Sequence, residues 1–215
     1  MIAELEKRYI ELSEILPSVS RETVNDLKRF EELIIQWNLH INLISKKTIP
    51  VLWTRHILDS AQIYPLHSQA IHWCDLGSGG GFPAIVIAIF LKHMKKGHID
   101  LVESNMKKAS FLRTAIAQLD LPATVYNCRI ENVYNKINSP DIITARGLAP
   151  LDHLLKISFP LFSQNTIALL QKGQYYGKEI ENASKNWRFD LLKHQSKIDK
   201  NSVILEISHV QSCEG

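Results

Sequence analysis

No run of apolar residues in this 215-residue sequence reaches the roughly 20 that a membrane-spanning helix needs. Cysteine is scarce: Cys74, Cys128 and Cys213 are far apart and odd in number. That excludes a disulfide framework and a zinc-ligand spacing, and makes a reducing cytoplasm the expected compartment. The first residues, Met1-Ile2-Ala3-Glu4-Leu5-Glu6, are acidic and carry no apolar signal core. Neither sign of charge dominates, with 25 Lys and Arg against 22 Asp and Glu and a net charge of +3. This balance permits contact with nucleic acid without arguing for it. Repeats and low-complexity linkers are missing too. What remains, 45% hydrophobic and 22% charged, suits a globular α/β domain with an elaboration. A chain this long buries roughly 70% of its unfolded surface and needs no covalent staples.

Glycine is also sparse, yet four of the 9 glycines fall within residues 77–81. An apolar run, Ile71-His72-Trp73-Cys74-Asp75-Leu76, leads into them, and Ile85-Val86-Ile87-Ala88-Ile89-Phe90-Leu91 follows. The order reads as strand, tight turn, buried helix, the arrangement by which an open α/β sheet binds a nucleotide-like ligand at the carboxyl end of its first strand. A P-loop is excluded because no Gly-Lys-Ser/Thr follows the turn. The dinucleotide fingerprint fails as well, since its sixth place holds Phe82 in place of glycine. The pattern present, Asp75-x-Gly77-x-Gly79-x-Gly81, resembles the first motif of class I methyltransferases. That resemblance implies S-adenosylmethionine as cofactor, a sulfonium with no phosphate to cradle. An acid beside bare backbone suits its cationic end.

Ahead of the strand, residues 2–16 read as a helix ended by Pro17, and Ser20 as the N-cap of a second. Leu27, Phe30, Ile34, Trp37, Ile41 and Ile44 form a stripe at helical spacing. Thr48-Ile49-Pro50 opens a third helix, with proline in its first turn, which carries Trp53, Arg55, His56, Asp59 and Ser60. Further strands are expected at 98–102, 123–127, 141–144, 166–170, 188–195 and 202–209, with helices from Lys107 and over 175–186. The expected fold is α/β: a Rossmann-like, mostly parallel seven-stranded sheet with an antiparallel edge hairpin, flanked by helices. Residues 1–65 form an N-terminal helical cap and residues 66–215 the cofactor-binding domain, one continuous structural unit. Glu103, at the end of the second strand, is placed to accept hydrogen bonds from ribose hydroxyls.

The block Trp37-Asn38, Ile41-Asn42-Leu43 and Arg55-His56-Ile57-Leu58-Asp59-Ser60, set just before the glycine turn, resembles one family. It is the bacterial ribosomal small-subunit methyltransferase G family, also called glucose-inhibited division protein B. Four later segments match the family in order: Lys107-Lys108-Ala109-Ser110-Phe111-Leu112-Arg113, Arg129-Ile130-Glu131, Ala145-Arg146-Gly147-Leu148-Ala149 and Gln171-Lys172-Gly173. Ala84, Val86 and Gly147 depart from the usual residues. The resemblance implies methylation of N7 of a guanine in 16S ribosomal RNA, guanine-527 of the small subunit, with S-adenosylmethionine as donor. It implies cofactor contacts at Asp75, Gly77, Gly79, Gly81, Phe82, Glu103, Ile130, Glu131 and Arg146, and no metal. It leaves the catalytic residues unnamed, with His56, Asp59 and Lys172 as candidates for guanine or phosphate contact. N7 carries a free lone pair, so no general base is expected. The expected partner is 16S ribosomal RNA, in the small subunit or an assembly intermediate, met by a cytoplasmic monomer without membrane contact. Lys92, Lys95, Lys96, Lys107, Lys108 and Arg113 read as one basic stretch across two helices, and Lys46, Lys47 and Arg55 as a second. Two alternatives stay open on the residues alone: a class I methyltransferase acting on a small molecule or protein, and a nucleotide-binding module without catalysis.

Overall fold

A computed structural model describes residues 2–213. Seven strands form one sheet in the order β3-β2-β1-β4-β5-β7-β6. They are β1 (His72–Leu76), β2 (His98–Val102), β3 (Ala123–Tyr126), β4 (Ile142–Arg146), β5 (Ile167–Lys172), β6 (Trp187–Gln195) and β7 (Val203–Ser212). The first five run parallel, while β7 lies antiparallel between β5 and β6. Strands covered on both faces are apolar nearly throughout. β1 is buried over its last four residues, with Trp73 in the core on one face and Cys74 and Leu76 in the core on the other. Strand order reverses at β1, so the carboxyl ends of β1 and β4 open a crevice.

Helices α1 (Ile2–Ser13), α2 (Arg21–Asn38), α4 (Ala84–His93) and α5 (Met106–Leu119) belong to the core on the Trp73 face. The opposite face is covered by α6 (Leu151–Ser158) and α7 (Tyr176–Ala183). Ser20 caps α2 as expected, its side chain accepting from the Thr23 N–H. Phe30 on α2 meets Phe82 at 5.1 Å and Phe111 of α5 at 6.4 Å, and Trp37 meets Phe111 at 5.6 Å. Such ring pairs add about 0.5–1.5 kcal/mol each beyond the area they bury. They tie α2 to both the glycine turn and α5.

Three helical expectations are corrected. The first helix ends at Ser13 rather than at 16. The second ends at Asn38, although its apolar stripe continues to Ile44. There the Asn38 Oδ1 accepts from the N–H groups of Leu43 and Ile44, at 2.8 and 3.0 Å, and bends the chain back. The third is not a regular α-helix but a 3-10 turn (Lys46–Val51), a π-helical segment (Trp53–Leu58) and one α turn, α3 (Asp59–Ala61). Helix α6 was not anticipated at all. No described helix is long and apolar enough to cross a membrane.

Candidate active site

The glycine turn is held from below by β2. The N–H groups of Gly77 and Ser78 donate to the Val102 carbonyl, at 2.9 and 3.1 Å. From the side, Glu103 accepts the Gly79 N–H on Oε2 at 2.8 Å and the Asn105 N–H on Oε1 at 2.7 Å. A carboxylate has about four lone-pair sites, so Glu103 keeps capacity for further donors. Of the turn's glycines, Gly79 faces open space: a Cβ there would meet only the Gly77 carbonyl oxygen, at 3.7 Å. Gly80 is needed for a different reason. A Cβ there would lie 3.0 Å from the Leu43 carbonyl oxygen, in the segment that Asn38 folds back. The asparagine ending α2 thus lays main chain against the glycine turn.

Two cavities open at the carboxyl ends of the strands. The one over the glycine turn, about 360 Å³, is lined by Gly77, Gly79, Glu103, Ile130 and Glu131, and also by Lys108, Arg129 and His153. The other, about 510 Å³, is lined by His56, Asp59, Arg146 and Lys172, with Arg55, Gln62 and Gln171. Gly147, Leu148 and Ala149 line both. Asp75, Gly81 and Phe82 line neither. Phe82 is buried beneath the second group: its ring lies 5.0 Å from the His56 ring and 5.2 Å from the Arg146 guanidinium carbon.

The larger cavity rests on a buried polar network. Arg146 donates to Asp59 Oδ2 at 3.2 Å and to His56 Nδ1 at 2.8 Å. Gln62 donates to Asp59 Oδ1 and Gln171 to Asp59 Oδ2, both at 2.9 Å. A guanidinium offers only donors, so Nδ1 of His56 carries the lone pair and Nε2–H faces the Thr48 hydroxyl at 2.9 Å. Burial pushes the His56 pKa down to about 4, and the Arg146 and Arg55 charges act in the same direction. His56 is therefore neutral near pH 7. The Asp59 pKa is raised by burial, against the pull of Arg146. Lys172 lines the same cavity, and its Nζ donates to the Ala149 carbonyl at 2.7 Å and to Glu179 at 2.8 Å. Glu179 in turn accepts the Leu151 N–H at 2.9 Å, which anchors the loop after β4.

Asp75 is fully buried. Its Oδ1 accepts from the Thr144 hydroxyl at 2.6 Å, and its Oδ2 has no hydrogen-bond partner among the described residues. Burial raises its pKa to about 6. The basic stretch expected across two helices is divided. Lys95 and Lys96 border a notch with Gly97 and Pro122, ahead of β2 and β3, while Lys108 lines the cavity at the strands' carboxyl ends. Helix α4 runs back down the sheet and α5 starts again at its top, so its lysines and those opening α5 stand at opposite ends. Sequence reasoning missed Gln62, Ser196 and His153. Ser196 accepts from Gln62 Nε2 at 3.1 Å across 134 residues, a pairing with no local signal.

The fold recurs in solved structures. The SAH-bound methyltransferase of Podospora anserina superposes with a TM-score of 0.60 at 13% identity, over 83% of this chain and 86% of that one. The ribosomal protein L11 methylase of Lactobacillus delbrueckii gives 0.53 at 17% identity, over 70% and 76%. Sequence relatives are far nearer. "Ribosomal RNA small subunit methyltransferase G" of Bartonella bacilliformis is 73% identical over 215 residues, 100% of each chain. The Brucella anthropi protein of the same name is 51% identical over 204 residues, 95% of this chain and 96% of that one. The model of the family described as rRNA small subunit methyltransferase G matches residues 23–205. That model spans more than half of the chain, and both relatives cover nearly all of it, so the chain belongs to the rRNA small subunit methyltransferase G family.

Proposed function

We propose that this enzyme transfers a methyl group from S-adenosylmethionine to N7 of a guanine in 16S ribosomal RNA, at guanine-527. The observation that carries the reading is the pair of cavities meeting at one loop, one floored by Glu103 and the glycine turn, the other walled by the Arg146 network. The residues fit the cofactor. Glu103 retains acceptor capacity for ribose hydroxyls, Gly79 leaves open space above the turn, and Ile130 and Glu131 border the same cavity. Asp75, buried and lining neither cavity, acts on a cationic ligand through its field rather than by contact.

When bound, S-adenosylmethionine supplies an electrophilic methyl: the N7 lone pair forms the new N–C bond, the C–S electron pair stays on sulfur, and the positive charge moves to the purine. This chain's residues hold and orient. Arg146 and His56, packed against Phe82, form a fixed polar wall. His56 has its lone pair committed to Arg146, so it takes no proton, which agrees with an acceptor that has none to lose. Rate then rests on aligning donor and acceptor at near-attack distance. The base is reached by unstacking it from folded RNA. We further propose a cytoplasmic monomer that meets its RNA in the small subunit or an assembly intermediate. Its helical residues 1–65 cap a cofactor-binding domain of residues 66–215.

The test is base-resolved nucleoside mass spectrometry of 16S RNA from cells with and without the gene. Loss of one 7-methylguanosine, restored by the purified protein, is the expected result. An unchanged profile together with measured cofactor binding would move the reading to a small-molecule or protein acceptor.

A further inference from the structure

Three residues border both cavities, and they are consecutive: Gly147, Leu148 and Ala149. Gly147 brings no side chain. Ala149 brings one methyl, and its carbonyl is tied to Lys172. Leu148 alone brings bulk, and it is 38% exposed within the site. It is seated on the glycine turn: a Cβ at Gly77 would lie 2.6 Å from Leu148 Cδ1 and 3.1 Å from Cδ2. Gly77, like Gly80, is thus glycine because another part of the chain comes close. The loop is anchored behind by the Lys172 and Glu179 contacts, so the leucine is presented from a fixed main chain.

We infer that Leu148 is a further positioning residue for the methyl transfer, the apolar wall at the border where donor and acceptor meet. The inference rests on the reading proposed above. A group passing from one cavity to the other crosses beside this side chain, because no other large side chain among the described residues lines both. Charge leaves the sulfonium as the N–C bond forms and the C–S bond breaks. An apolar wall there excludes water and limits the approach of the purine to the line of the breaking bond.

The experiment compares L148A and L148M with the unaltered protein, using small ribosomal subunits from cells lacking the gene as acceptor. S-adenosylhomocysteine affinity is read by calorimetry. L148A is expected to lower kcat by ~10- to 100-fold, the cost of a misaligned approach, with affinity for S-adenosylhomocysteine within about threefold. L148M, similar in volume, is expected to restore kcat to within about threefold. In a G77A chain the added methyl meets Leu148, and L148A in the same chain should recover part of the lost melting temperature. A kcat for L148A within twofold of the unaltered protein would overturn the inference, and so would an affinity loss as large as the loss in kcat. If the unaltered protein neither binds the probe nor methylates the subunit, the function proposed above fails first, and this inference with it.

Discussion

The cavity over the glycine turn is walled largely by main chain and one carboxylate, whereas its neighbour is walled by side chains that bond one another. In the first, Glu103 is fixed by two backbone N–H groups within 24 residues of it. In the second, Asp59 is held by Gln62, Arg146 and Gln171, drawn from α3 and its flank, β4 and β5. The difference concerns what each can tolerate. A backbone-built site loses affinity when its carboxylate goes, while the bonds from Gly77 and Ser78 to Val102 still hold the turn. A buried ionic network loses shape, because removing either member of the Arg146–Asp59 pair leaves the other charge without compensation.

The sharpest way to break that contrast is Arg146→Ala. Asp59 would stay buried without its cation, and a stability loss of about 3–5 kcal/mol is expected in urea denaturation. A loss no larger than that of a surface substitution would show the network to be dispensable. Next is Glu103→Ala. It removes the acceptor for ribose hydroxyls, and charge-assisted hydrogen bonds are worth about 1.5–3 kcal/mol each, so calorimetric cofactor affinity should fall by ~10- to 100-fold. The Gly79 and Asn105 N–H groups lose the same acceptor, so the melting temperature should fall too, by less than for Arg146→Ala. Unchanged affinity would remove Glu103 from the cofactor site. A smaller effect separates the two ends of the sheet. Replacing Lys107 and Lys108 together should reduce the salt dependence of RNA binding by ~2 in log–log slope, and replacing Lys95 and Lys96 should leave it alone. Equal effects from both pairs would mean that the RNA contacts both ends.

The smallest effect is in pH, where two groups oppose each other. The His56 pKa lies near 4 in the fold, below its ordinary 6.5, so the unfolded chain holds more protons between those values. Its contribution is complete above pH 6.5 and is lost as pH falls towards 4. Asp75 behaves inversely: with its pKa raised to about 6, its contribution is present below its ordinary 3.8 and is lost as pH rises through 6. Denaturation at pH 5 and pH 7 should therefore show His56→Gln becoming relatively more stable on acidification, and Asp75→Asn relatively less. Shifts of the same sign in both variants would refute the assignment.

How much of this was legible in the chain follows the same division. The glycine turn, the strand before it and Glu103 lie close together in sequence, and their pattern can be read directly. So can the seven strands, whose apolar runs carry clear boundaries. The reason for Gly80 could not be read, because it depends on where Asn38 sends Leu43. An apolar stripe continuing past Asn38 gave no sign that a side-chain oxygen would take the next backbone donors. Nor does periodicity separate a π-helical turn from an α one over six residues. Helix α6 has only Leu151, Leu154 and Leu155 as its signal, between Pro150 and Pro160. Two turns of helix hold their shape through tertiary packing rather than propensity. Lys172 was read as a candidate for ligand contact; it lines the larger cavity, and its ammonium also bonds Ala149 and Glu179, partners the sequence did not show.

The contact between Leu43 and Gly80 bears on how this architecture can be recombined. Helix α2 ends in a residue that shapes the floor of the neighbouring binding loop, so the leading helices are not a detachable attachment to a generic sheet. A chimera joining this sheet to another protein's leading segment would bring a different backbone against Gly80, and with it a differently shaped turn. Exchange between relatives should succeed only when the crossover lies ahead of Asn38 or beyond Gly81, so that the asparagine, the folded-back segment and the glycines travel together.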